Sequence, residues 1–319
     1  MKHYDDPQLQ SLAANLASTD PAIRRVAVLE LVDCGEPEAA ELLILALNDP
    51  DPSVRQEAAK VVDEFDAADI ADALIAALGD SDEVVRNAAA HALADLKDPA
   101  AAMPLLAALE QSQDSFVVAG ILRALKPLRN PAAQAPALLR LNDADAQVRR
   151  EAVAVIGWLK QPENLPALMQ RAQYDTDAEV RRAAAGALVY AEAEQVGPTL
   201  IEILQDEHWQ VRVEAAVSLG KLDCQAALQS LVDATHDSFW QVREKAVDAL
   251  GKLAAVGAIP ALGVCARDPM SNLRKAAIGA LGSIGHSAGR PFVETAMEDP
   301  DPDVRKLARW ALSKLDAAA

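Results

Sequence analysis

Few residues in this chain have types and spacings that could do chemistry. The five histidines are His3, His91, His208, His236 and His286. None begins the H-E-x-x-H pattern that supplies two zinc ligands and a general base. No G-x-S-x-G nucleophile turn and no glycine-rich phosphate loop occurs. Cys34, Cys224 and Cys265 are odd in number and far apart, without a C-x-x-C pair. Neither a disulfide framework nor a zinc ribbon is expected. We therefore assign no catalytic residue, no metal ligand and no cofactor.

The functional group that does recur is a guanidinium. It follows a valine, isoleucine or leucine just after a turn, at Arg24, Arg55, Arg86, Arg149, Arg181, Arg212, Arg243, Arg274 and Arg305. Val118 holds the equivalent place between Arg86 and Arg149. The intervals are 31, 31, 32, 31, 32, 31, 31, 31 and 31 residues. An arginine fork at the start of a helix matches a carboxylate bidentately. The series is expected to pair with the turn aspartates of its own or neighbouring repeats as a structural ladder. Breaks are expected at Val118 and in units seven to nine, where His208, Phe239 and Met270 take the usual place of an aspartate.

The elements that carry this series read as helices. Apolar residues are 51% of the chain and aromatics 3%, and alanine, the best helix former, dominates. In the second unit Ala39, Leu42, Leu43, Leu45 and Ala46 recur at helical spacing. Asp49-Pro50-Asp51-Pro52 then ends that helix. A second helix follows from Val54. One such pair cannot bury its apolar stripe, but stacked pairs can. The expected fold is all-α, a right-handed α-α superhelix (solenoid) of ten helix-pair repeats, with residues 1–319 forming one solenoid. Helix A lies outside and helix B lines the concave face. Pro127 and Pro131 predict an irregularity or bend at 118–136. Gln8, Gln10, Ser11 and Asn15 at one end, and Lys306, Arg309 and Lys314 at the other, read as polar caps of a complete array.

The units resemble HEAT repeats of the short type found in phycobilisome-lyase-like proteins. The signature D-x-x-V-R-x-x-A-A-x-A-L-G is carried by Asp82 to Leu93 and, from its valine on, by Val211 to Gly220. Prolines early in helix A recur at Pro104, Pro136, Pro166, Pro198, Pro260 and Pro291. The resemblance implies the solenoid fold and says little of function, since such folds host many roles. Iron hydroxylases built on HEAT-like repeats use His-Glu pairs, and this chain has none. Phycobilisome-lyase relatives attach or detach linear tetrapyrroles. A bilin or tetrapyrrole lyase-like role, with Trp158, Tyr190, His91 and Arg123 sheltering a flat ligand, is thus the alternative reading. A related alternative is a non-catalytic cofactor-assembly helper, with Cys224 and Cys265 in neighbouring units.

The formal charge is −18, and residues 1–100 hold 21 acidic and 7 basic side chains. This argues against nucleic acid, which needs a basic stripe, and against an anionic membrane. A protein or peptide partner of basic character fits better. The opening residues lack the apolar core of a signal peptide, and no apolar run of membrane-spanning length occurs. A cytoplasmic monomer is expected. Nine residues after each repeat arginine, the series runs from acids through Trp158 and Tyr190 to Lys221 and Lys252. Five residues after it lie His91 and Arg123. These six residues are the expected concave-groove site. His208, Trp209, Phe239, Trp240 and Met270 form a second expected patch along the turn edge. The function read from the sequence is a non-catalytic protein–protein interaction scaffold or adaptor.

Overall fold

The structure, a computed structural model, describes residues 4–317. His3 lies outside them. Ten helix pairs follow one another, with no strand among the described residues. The first five pairs are α1 (Pro7–Leu16) with α2 (Pro21–Glu30), α3 (Ala39–Leu47) with α4 (Pro52–Lys60), α5 (Ala67–Ala77) with α6 (Glu83–Asp95), α7 (Ala102–Gln111) with α8 (Ser115–Leu128), and α9 (Gln134–Arg140) with α10 (Ala146–Leu159). The next five are α11 (Leu165–Tyr174) with α12 (Ala178–Ala187), α13 (Ala193–Ile203) with α14 (Trp209–Lys221), α15 (Leu228–Ala234) with α16 (Trp240–Lys252), α17 (Ile259–Cys265) with α18 (Ser271–Ile284), and α19 (Arg290–Thr295) with α20 (Pro302–Ala317). They form two compact units, Met1–Leu159 and Lys160–Ala319.

Local chemistry starts most of the B helices. The Asp20, Asp51, Asp82, Asp114 and Asp177 carboxylates each accept from the backbone N–H two residues on, the standard helix N-cap. Pro21 and Pro52 occupy the first helical position, where a missing N–H costs nothing. α14, α16 and α18 follow His208, Phe239 and Met270, with no side-chain cap.

Successive B helices pack side by side, α2 to α10 in one unit and α12 to α20 in the other. In the second unit glycine permits the close approach. A Cβ on Gly251 would stand 2.9 Å from both Cα and Cβ of Ala280, closer than real side chains pack. The valines before the repeat arginines, such as Val54, Val85, Val211 and Val304, are fully buried between the layers. Pro127 lies inside α8, which still runs unbroken to Leu128 and ends at Arg129 in the left-handed region. The proline sits so late in the helix that it does not shorten it.

The arginines form the ladder. The Arg24 Nε and Nη2 donate to Asp49 at 2.7 and 2.8 Å, and Arg55 meets Asp80 likewise at 2.6 and 2.7 Å. In the second unit Arg181–Asp206, Arg212–Asp237 and Arg274–Asp299 repeat this fork, and Arg243–Asp268 is looser at 3.7 Å. Each aspartate is 25 residues on, in the turn of the next repeat. Each guanidinium also donates through Nη1 to the carbonyl six residues back, as from Arg55 to Asp49. The expected break in units seven to nine does not occur. The ladder carboxylates there are Asp206, Asp237 and Asp268, each two residues before His208, Phe239 and Met270. What those three residues replace is the N-cap. Val118 does interrupt the series, and so does Ser112, which holds the ladder aspartate's place six residues before 118.

Candidate functional site

In the second unit the helix-B face carries an open cleft of about 880 Å³ between α16, α18 and α20. Its floor is made of small residues, including Ala276, Gly279 and Ala280, and its walls include Leu307 and Trp310. Trp310 is 40% exposed. Glu244 and Asp248 stand on the α16 side with Lys252, and Lys275 projects from α18. Lys245 bridges Glu244 at 3.5 Å and Asp248 at 3.1 Å. The site thus offers an indole, a small-residue floor and charges of both signs. Of the groove residues expected from sequence, it takes in Lys252. It is centred on Trp310, which stands five residues after its repeat arginine, the same register as His91 and Arg123. That register was the available signal for it.

In the first unit His91 and Arg123 do come together, with Phe116 and Gly120, around a smaller cleft of about 260 Å³ between α6 and α8. The exposed His91 Nδ1 lies 2.7 Å from the Asn87 carbonyl. Arg123 reaches the buried Glu151 at 3.2 Å, and Arg150 reaches the same oxygen at 3.3 Å. Trp158 does not line that cleft. Its half-exposed ring is covered by the Arg129 guanidinium, 4.7 Å from the centroid, a cation–π geometry.

The other groove residues belong to the second unit. Tyr190 is half-buried, and its hydroxyl donates to the Gln161 carbonyl at 3.0 Å. Burial first, and Glu163 second, push its phenol pKa up. The space over Gly186 is taken by the Glu214 carboxylate, which a Cβ there would meet at 3.0 Å. Lys221 is exposed in the last turn of α14.

The turn edge is built as a stack. The Trp209 and Phe239 rings lie 5.7 Å apart and 15° from parallel. The Arg212 guanidinium, while bound to Asp237, lies 5.6 Å from the Phe239 centroid. Phe239 is 42% exposed and His208 is exposed, whereas Trp240 and Met270 are half-buried. The ladder arginine thus packs the outer ring, and the missing caps leave room for large side chains.

Cys34, Cys224 and Cys265 are all buried and free. Desolvation raises the Cys224 and Cys265 thiols above their ordinary pKa, so both stay neutral core groups rather than nucleophiles. Among the described residues no group of three or more histidine, cysteine or acidic side chains is arranged to hold a metal ion. None of the described helices is long and apolar enough to cross a membrane.

Five stretches, residues 9–66, 40–126, 104–189, 197–269 and 259–319, match the sequence family described as HEAT repeats. The chain belongs to the HEAT-repeat family. Residues 180–206 also match the PBS lyase HEAT-like repeat, in keeping with the short unit. No curated protein matches. Among solved structures, an engineered protein is 22% identical, with 98% of this chain and 99% of that chain covered and a TM-score of 0.50. YibA of Escherichia coli is 20% identical over 94% of this HEAT chain and 97% of its own, with a TM-score of 0.53. The karyopherin Kap121p, bound to the extreme C-terminus of the protein phosphatase Cdc14p, is 14% identical with a TM-score of 0.60. That match covers 98% of this chain and 42% of the karyopherin. At these identities the likeness is one of fold: an all-α solenoid of HEAT helix pairs.

Proposed function

We propose that this HEAT-repeat chain is a non-catalytic scaffold that holds a protein or peptide against its helix-B face. The observation that carries the reading is the cleft between α16, α18 and α20, with Trp310 exposed beside a floor of alanine and glycine. An exposed indole in a concave, small-residue site is the chemistry of a binding hot spot. Within the cleft Asp248 is engaged by Lys245 at 3.1 Å. The chain's overall charge of −18 favours a bound segment of basic character. The His91–Arg123 cleft and the His208–Trp209–Phe239 edge serve as further contacts of the same kind. The solved complexes of Kap121p, one with the extreme C-terminus of Cdc14p and one with Nup53p, support use of the fold for holding proteins.

The test is a photo-cross-linking residue placed at Ser283, which lines the cleft, with a second at exposed Leu139 as a control. The protein captured only at Ser283 is purified and its affinity measured by calorimetry. Trp310→Ala should weaken it by about tenfold or more, with unchanged helicity by circular dichroism. Equal capture at both sites, or an affinity indifferent to Trp310, would remove the cleft as the binding site.

A further inference from the structure

The two ends of the repeat series differ chemically. In repeats two, three and five to ten, the residue before the arginine is buried: Val54, Val85, Val148, Val180, Val211, Val242 and Val304 are 0% exposed and Leu273 is 1%. In the first repeat this residue is Ile23, and it is 45% exposed. Val304 belongs to the tenth repeat, which has no following repeat in this chain, and it is still covered. The cover missing over Ile23 is therefore the one a preceding repeat supplies.

Two more positions agree. The residue two after the arginine is buried or half-buried in every later repeat. In α2 it is Val26, 53% exposed. The residue six after it is buried as Ala249, Ala280 and Ala311, each meeting a glycine of the preceding helix B. In α2 it is the exposed Glu30. Residues 23, 26 and 30 run i, i+3 and i+7, one stripe along α2, and Asp33 follows in the 3-10 turn Leu31–Asp33. The stripe begins with two exposed aliphatic side chains and ends with the carboxylates of Glu30 and Asp33, both exposed.

The other end carries a charge where packing would need an apolar group. The residue four after the arginine is Val28, Ala59, Ala90, Leu122, Val153, Ala185, Ala216, Val247 and Ile278 in turn, none more than 5% exposed. In α20 it is Arg309, exposed. A second copy stacked end to end would set Arg309 on the aliphatic stripe. Two copies meeting through α2 would bury Glu30 and Asp33 of both with no cation in the stripe to meet them. Neither arrangement satisfies the surface.

We propose that the outer flank of α2 docks an amphipathic helix of another protein, in the position that helix B of a preceding repeat would occupy. Aliphatic or small residues of that helix cover Ile23 and Val26, and lysine or arginine about one turn beyond meets Glu30 and Asp33. The excess of acidic over basic residues in the first 100 positions steers a cationic helix to this end. The surface shares no residue with the α16–α18–α20 cleft, and either proposal can fail without the other.

The probe is a labelled helical peptide of about 18 residues, with leucine and alanine on one face and two lysines at the next turn. A matched peptide carries glutamate in place of both lysines. Binding to the full chain is read by fluorescence anisotropy, with sedimentation velocity alongside. The lysine peptide should bind at least about tenfold tighter than its partner. Ile23→Ser with Val26→Gln, which leaves the charge unchanged, should cost about tenfold or more. Glu30→Gln with Asp33→Asn should bring the two peptides together. The helicity of all variants should match the parent, because the changed side chains are exposed. Absence of binding, or binding indifferent to Ile23 and Val26, would overturn the proposal. So would a dimer of the parent chain that Val26→Gln dissolves, which would give the face to a second copy.

Discussion

The Arg140 guanidinium donates through Nη2 to the Ser112 carbonyl at 2.8 Å. Ser112 lies six residues before Val118, at the carbonyl a ladder arginine at 118 would reach. Arg140 also donates to the Leu109 carbonyl at 2.9 Å and pairs with Asp143 at 3.4 Å. Asp143 lies 25 residues after Val118, where the ladder carboxylate belongs. An arginine from the end of α9 thus enters from outside the pattern and supplies the guanidinium that the fourth repeat lacks.

Arg140→Ala should therefore destabilise the first unit by about 1–3 kcal/mol, because it removes the shared donor of two carbonyls and a carboxylate. Val118→Arg in the same background should restore part of that loss. Urea midpoints of the parent, the single variant and the double variant check this. No recovery in the double variant would mean that position 118 cannot accept the fork.

The bidentate bond from Arg55 holds the Asp80 carboxyl below its ordinary pKa, and Arg274 does the same for Asp299. A carboxylate whose pKa is depressed by folding contributes stability above its unfolded value of about 3.9. That contribution is lost as pH falls through the lower folded value. Asp80→Asn should cost about 2 kcal/mol at neutral pH, and its stability should converge on the parent's in acid. Thermal melts across the acid range would read the convergence.

Gly251→Val should be among the more damaging single changes in the second unit. Its side chain would press on the Ala280 backbone, and overpacking of this kind costs about 1–3 kcal/mol. Hydrogen exchange should locate the loss in α16 and α18. Gly35, with nothing within 4 Å of its would-be Cβ, provides the control as Gly35→Ala.

A double-mutant cycle on Trp209 and Phe239 should return a coupling of about 0.5–1.5 kcal/mol, the range for stacked rings. Substituting Arg212 by Lys should reduce that coupling, since the planar guanidinium packs on the Phe239 ring. A coupling near zero would mean that the two rings pack independently.

The repeat was legible in the sequence because it rests on periodic burial. A valine beside an arginine every 31 or 32 residues fixes where each B helix starts and which face is covered. The register of the ladder was less legible. In five of the ten turns two aspartates stand two residues apart, and only the structure distinguishes the one that caps the helix from the one that binds the arginine. Reading them as one position made His208, Phe239 and Met270 look like ladder breaks. The clefts were partly legible. The spacing of five after the arginine named His91, Arg123 and Trp310 as one series, but the aromatic pair Trp158 and Tyr190 drew attention to the middle of the chain. Trp158 is occupied by Arg129 from a loop with no periodic signature, and Tyr190 by a backbone carbonyl. Contacts of that kind leave no periodic trace in the residue pattern.

Each rung of the ladder ties a helix of one repeat to the turn of the next, so the forks act as hooks between neighbours. Arg86 lacks its hook. Ser112 stands in place of the aspartate, and the arginine contents itself with the Asp80 and Ser81 carbonyls and the Phe116 ring. Under a load applied along the chain, the junction between α6 and α8 is where the first unit should give way. A tethered molecule pulled from both ends would then shed its first three repeats as one block before the fourth follows.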